Sequence, residues 1–240
     1  MFDTTKKDIF EHALREMPRE SCGLLLTLAN GKERYFPCAN ISNEIEHFTI
    51  NPRDYLRAKE LGTITAIVHS HPYRPAEPSD VDRVSCERTG LPWHIVSVPH
   101  GIFAYLEPSG YEAPYIGRTW CHGTLDCYAL VRDWYKREMN IDLPEFQRTE
   151  EWWNNGKNYY VENFEKNGFV RIEKKDMQYG DGLLIQHGSD VPNHAAIYIG
   201  KVHNQDTILH HVYGRNSYSC TYGGYWEKHT THVLRYKGNG

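Results

Sequence analysis

Two ordered sets of reactive side chains occupy the two halves of this chain. The first is Glu20, then His69-Ser70-His71-Pro72, then Ser79 and Asp82; seven residues separate His71 from Ser79 and two separate Ser79 from Asp82. In an extended segment residues i and i+2 share a face, so His69 and His71 at a strand's end can present both imidazoles to one ion. A catalytic zinc takes three protein ligands and keeps a fourth position for water, and Asp82 is the carboxylate on hand as the third. Glu20 can then act on that water. Ser79-x-x-Asp82 after Pro78 also has the form of a helix capping box with an acid meeting the helix dipole, so the pair has a structural reading beside the catalytic one.

The second set is Asp126-Cys127, then His194, then the pair His210-His211. Cys127 opens a predicted helix, where free backbone N–H groups and the positive dipole end favour a thiolate. His194 opens a predicted strand and His210-His211 ends the next apolar run, which supplies a base and an orienting partner. Alternation along a strand lets only one of His210 and His211 face such a site. The bland reading is that Cys127, Leu130, Val131, Trp134 and Tyr135 share helical spacing, and a cysteine on that stripe is a small core residue. Trp152, Trp153, Tyr159 and Tyr160 can likewise line a groove or pack a helix into a core.

These residues need elements to hold them. The pattern predicts helices over 4–17 and 52–61, with strands over 23–28, 32–37, 64–69, 94–98 and 102–106, an α/β first half. The segment 107–114, rich in Pro and Gly, breaks regular structure and sets the expected boundary, with domains at 1–108 and 109–240. Beyond it come a helix over 127–139, a helical region over 152–166 and strands over 182–186, 195–199, 207–212 and 231–236. Helices first and strands afterwards give an α+β second half.

Composition narrows the function classes. A formal charge of -4 and a pI near 6.4 leave no basic surplus for phosphates, so no nucleic-acid partner is expected. No stretch reaches the roughly 18 to 20 apolar residues of a membrane span, and the first residues lack a signal peptide's apolar core, so no membrane insertion is expected and synthesis in the cytoplasm is. The six cysteines lack paired CxxC spacing and read as reduced thiols.

The first set resembles the JAMM (MPN-type) zinc peptidases, with every polar position of that motif filled. The resemblance implies zinc held by His69, His71 and Asp82, Glu20 as general base and Ser79 helping to hold the oxyanion. The second set resembles the NlpC-type cell-wall cysteine peptidases, which are papain-like. That resemblance implies Cys127 as nucleophile, His194 as base, His210 as third residue with His211 as second choice, and Tyr115, twelve residues before Cys127, near the oxyanion. Tyr128-Ala129 stands where that family usually has Ser-Gly. The two domains in this order and length resemble tail tip assembly proteins of lambda-type phages. The likeness implies a phage or prophage product on the virion tail tip, acting at the host cell wall, with peptidoglycan stem peptides and other tail tip proteins as partners. A structural tail-tip component with vestigial sites is the rival reading. A ubiquitin-processing role, known among JAMM proteins, is disfavoured by the attached cell-wall peptidase domain.

Overall fold

The computed structural model describes residues 1–146, 148–149 and 151–238. The chain divides into two compact units, Met1–Glu112 and Ala113–Gly240. Residues 109–112 stay with the first unit because Glu87 accepts from the backbone N–H of Ser109 and of Tyr111, and the Tyr111 hydroxyl donates to Asp80. Ala113 belongs to the second because its carbonyl accepts from the buried Arg118 and from Arg137.

In the first unit, α1 (Asp3–Glu16), β1 (Cys22–Leu28), β2 (Glu33–Cys38), α2 (Pro52–Leu61), β3 (Gly62–Pro72), α3 (Asp80–Thr89), β4 (Trp93–Val98) and β5 (Ile102–Leu106) follow one another. Their sheet has the order β2-β1-β3-β4-β5 and is antiparallel except where β3 runs parallel to β4. The parallel pair needs a crossover, and α3 supplies it. One face of the sheet buries Leu25, Ala66, Val68 and Val96 with Ile9 and Ala13 of α1; the other buries Leu24, Leu26 and Ile67 with Ala58 of α2 and Cys86 of α3. The mixed α/β expectation holds. Strand β3 is longer than expected at both ends, beginning directly after α2 and running through the histidine motif to Pro72.

The second unit carries α4 (Cys127–Met139), α5 (Tyr159–Asn163), β6 (Phe169–Ile172), β7 (Gly182–Ile185), β8 (His194–Val202), β9 (Gln205–His210), β10 (Tyr218–Thr221), α6 (Tyr225–His229) and β11 (Thr230–Tyr236). Its sheet, β10-β9-β8-β7-β11-β6, is antiparallel throughout, as α+β patterning requires. The expected helical region over 152–166 is one short helix between two 3₁₀ turns, and Trp152 and Tyr160 are buried there. Helix α4 forms because Asp126 caps it, Asn140 ends it in the left-handed region, and an apolar stripe of Leu130, Val131, Trp134 and Tyr135 faces inward. That stripe packs on Ala195, Ile197 and Leu209 of the sheet. Leu130 is fully buried, so truncating it to alanine costs about 2–5 kcal/mol. The packing lays the N-terminus of α4 against the start of β8, the placement a helix-borne thiol beside a strand-borne base requires. All six cysteines are free thiols.

Candidate functional sites

Strand register assembles the first site. Ser21 and Ser70 are mutually bonded, Ser21 N to Ser70 Oγ at 2.8 Å and Ser70 N to Ser21 O at 3.1 Å, so Glu20 is pinned beside the histidine strand. His69, His71 and Asp82 are buried and converge: His69 Nε2 lies 3.2 Å from His71 Nε2 and 3.1 Å from one Asp82 oxygen, and His71 Nε2 lies 3.4 Å from the other. Each offers a ligand atom, and the three could hold one metal ion. His71 Nδ1 donates to the Pro75 carbonyl at 2.7 Å, which leaves Nε2 as a lone pair. A lone pair facing a carboxylate and a second imidazole nitrogen needs a proton or a cation between them. His69 is sealed between Phe48, stacked at 4.8 Å, and the edge of Trp93 at 5.4 Å, with Nδ1 buried and unpartnered among the described residues. Burial, not an outer hydrogen bond, fixes that ring.

Asp82 reconciles its two readings. It is the third residue of α3 and completes a capping box: Ser79 Oγ accepts from Asp82 N at 3.1 Å, and the Asp82 carboxylate accepts from Ser79 N and from the Ser79 hydroxyl, both at 2.7 Å. The cap aims the carboxylate at the histidines. The Ser79 hydroxyl is therefore held on Asp82 at rest. Burial works to raise Asp82, but bonds to His69, His71 and Ser79 outweigh it and hold the carboxyl well below its usual range. Burial pushes Glu20 up to about 9 against the pull of Arg74, whose guanidinium meets it at 2.7 Å. Arg74 was not foreseen, since nothing in its spacing marks it.

The second site lies where α4 meets β8. Cys127 Sγ is 3.5 Å from the Tyr160 hydroxyl, and Cys127 shares a buried cluster with Ala195, the residue after His194. His194 Nε2 is 3.1 Å from His210 Nδ1. His211 points elsewhere, with Nε2 donating to the Arg215 carbonyl and its ring against Trp120. Trp226 packs against both His194 and His210. No hydrogen bond joins Cys127 to His194 among the described residues; such contacts are often long before substrate binds. Burial first, and then the adjacent Asp126 carboxylate, push the thiol up to about 11, so it is protonated at rest and must lose its proton to a base. Burial lowers His194 well below its ordinary value and takes His210 and His211 down to about 4.

Tyr115 requires a correction. Its hydroxyl donates to Glu138 at 3.0 Å, and the guanidiniums of Arg137 and Arg118 lie over its ring at 5.0 and 5.9 Å from the centre. Glu138 is near the far end of α4, about 16 Å along the axis from Cys127. The tyrosine that reaches the thiol is Tyr160, assigned by sequence to packing or a groove. Sequence reasoning also missed Arg148, which meets the buried Asp126 through three close N–O contacts of 2.6–3.0 Å.

Comparison with known proteins gives the class first. Residues 4–107 match the family of prokaryotic homologs of the JAB domain, and residues 114–235 match the NlpC/P60 family. The chain is 39% identical to tail tip assembly protein K of Escherichia phage N15, over 95% of this chain and 93% of that one. It is 36% identical to the protein of the same name from Escherichia phage lambda, over 78% and 89%. The chain therefore belongs to the tail tip assembly protein K family, with a JAB-like domain followed by an NlpC/P60 domain. Among solved structures, an NLP/P60-family protein similar to a lipoprotein, from Staphylococcus aureus, is 14% identical with a TM-score of 0.36, over 98% of this chain and 62% of that one. Among the described residues no helix is long and apolar enough to cross a membrane.

Proposed function

We propose that this protein is a tail tip component, made in the host cytoplasm and built into the virion with other tail tip proteins, that hydrolyses peptide bonds in peptidoglycan stem peptides at the host cell wall. The observation that carries this reading is the His194–His210 pair at 3.1 Å, set beside the Cys127 end of α4. His194 takes the thiol proton; the sulfur attacks the scissile carbonyl while backbone N–H groups of the first turn of α4 hold the oxyanion. The C–N bond then breaks, His194 returns its proton to the leaving amine, and water releases the acyl group and restores the thiol. The Tyr160 hydroxyl, donating to Sγ, favours the thiolate as it forms.

The first domain we read as a zinc peptidase or isopeptidase. Ligands placed tetrahedrally at about 2.0–2.1 Å from one ion stand about 3.3 Å apart, close to the separations of His69, His71 and Asp82. Zinc there would acidify a bound water and polarise a carbonyl. Glu20 would serve as the general base, its carboxylate favoured by Arg74 and by the ion's own charge, and Ser79, through Asp82, holds the third ligand in place. Metal analysis tests this: about one zinc per chain is expected in the intact protein and under a tenth of that in Asp82→Ala. Equal zinc in both would sink the assignment.

A structural role with silent sites is the second reading, favoured by the protonated thiol and by Glu20 locked on Arg74. Mass spectrometry of stem peptides incubated with the protein, with Cys127→Ala and with a chelated sample, separates the two. Cleavage lost only in Cys127→Ala supports the thiol peptidase. Cleavage lost only with chelator moves the murein chemistry to His69, His71 and Asp82, and no cleavage anywhere favours the structural role.

A further inference from the structure

The geometry points to Cys220 as a positioning residue of the thiol site, its sulfur accepting the Nε2–H of His210 and so selecting the tautomer through which His210 orients His194. This rests on the thiol-peptidase reading. Cys220 sits on β10, the edge strand next to β9; Ile208 pairs with Cys220 and His210 with Tyr218, so the sulfur lies diagonal to the imidazole on one face of the sheet. Cys220 Sγ is 3.4 Å from His210 Nε2, and it is the only hydrogen-bond partner of that nitrogen among the described residues. The Tyr218 ring at 4.4 Å and the Trp226 ring at 4.5 Å, edge-on, confine the imidazole, so it cannot turn toward another partner.

Three groups in a row leave two proton arrangements. In one, the thiol donates to His210 Nε2, His210 donates from Nδ1 to His194 Nε2, and the hydrogen of neutral His194 sits on Nδ1. Both nitrogens of His194 are then occupied by a hydrogen or a donor, and it cannot act as a base. In the other, His210 Nε2–H donates to sulfur, His210 Nδ1 accepts from His194 Nε2–H, and His194 Nδ1 keeps its lone pair for the proton of Cys127. Only the second leaves His194 able to take a proton, so it is the arrangement the thiol-peptidase reading requires.

The test uses the full-length, ¹⁵N-labelled protein and two readouts. Long-range proton–nitrogen spectra of the imidazoles report the tautomer, with His210 expected as the Nε2–H form in the unaltered protein and in Cys220→Ser, and as a mixture with the Nδ1–H form in Cys220→Ala. On stem peptides, Cys220→Ala is expected to lower kcat about tenfold with KM changed by less than about twofold, while Cys220→Ser recovers most of the loss. His210 found as the Nδ1–H form in the unaltered protein overturns the proposal, as does a Cys220→Ala protein with unchanged tautomer and kcat. The spectra need no turnover. An inactive protein whose His210 tautomer still depends on Cys220 would retain this arrangement and discard only the peptidase reading.

Discussion

Replacing Arg148 by methionine should destabilise the second unit by about 3–5 kcal/mol, the cost of leaving a buried charge without its partner. The side chains of Arg148 and Asp126 are 4% and 3% exposed, so solvent screens almost none of the interaction. Arg148 Nη2 reaches both carboxylate oxygens, at 2.6 and 2.8 Å, and Nε lies 3.0 Å from one of them. After the change Asp126 would keep the N–H donors of Ala129 and Gly123, at 2.9 and 2.8 Å, but no cation. Asp126→Asn is the partner perturbation: asparagine can still cap the helix with its one oxygen, so its cost combines the lost ion pair with the unpaired N–H of Gly123 or Ala129, while Arg148 keeps Glu145. The double variant should cost less than the two single losses summed, with a coupling of about 1–3 kcal/mol. Five of the six tryptophans belong to the second unit, so urea unfolding followed by tryptophan fluorescence reads it preferentially. A loss below about 1 kcal/mol in Arg148→Met, or strict additivity in the double variant, would refute the reasoning. The same change should slow alkylation of Cys127, since the Asp126 carboxylate raises that thiol and Arg148 opposes it.

Three further outcomes are expected. Unfolded imidazoles take protons near pH 6.5 and the folded His210 and His211 only near 4, so the unfolded state binds more protons between these values and stability falls as pH drops through them. From pH 7 to 5 each should withdraw about 2 kcal/mol, and His211→Gln should flatten the dependence by that amount in urea titrations; an unchanged slope would mean that His211 takes up its proton equally in the folded and unfolded states. Ser79→Ala should cost the first unit about 1 kcal/mol in thermal unfolding and Ser79→Asn much less, because the loss is that of a cap. Alkylation of Cys127 by iodoacetamide, followed site by site in mass spectra, should keep rising from pH 7 to 10 since burial and Asp126 hold the thiol protonated; a plateau below pH 8 would indicate a preformed thiolate.

What could be read from sequence is what the chain positions locally. Helix α4 was legible to its ends because a cap, an apolar stripe and a left-handed stop all lie within its own residues. The HxH pair and the serine–aspartate spacing were legible for the same reason, being the end of one strand and the start of one helix. Of helix α3 only the start was read, as a capping box weighed beside a ligand role for Asp82; in Asp80–Thr89 only Val81, Val84 and Cys86 are apolar, too few to mark its length. Strands β6 and β10 escaped because four-residue edge strands carry too little alternation to stand out.

The groups that govern protons at both sites arrive from far along the chain. Arg74 reaches Glu20 across 54 residues, Arg148 reaches Asp126 across 22, and Cys220 meets His210 only because β10 pairs with β9. Tyr115 failed for the complementary reason: its spacing from Cys127 is a local quantity, but its destination goes with Glu138, which its hydroxyl meets, and the two arginines over its ring. One clue was present and unused. A carboxylate that caps a buried helix N-terminus beside an apolar stripe cannot stay charged alone, so Asp126 required a cation somewhere in the second half. Reading such unpaired demands, and then asking which distant residue meets them, is the step from a motif to the groups that decide whether its thiol or its carboxylate can act.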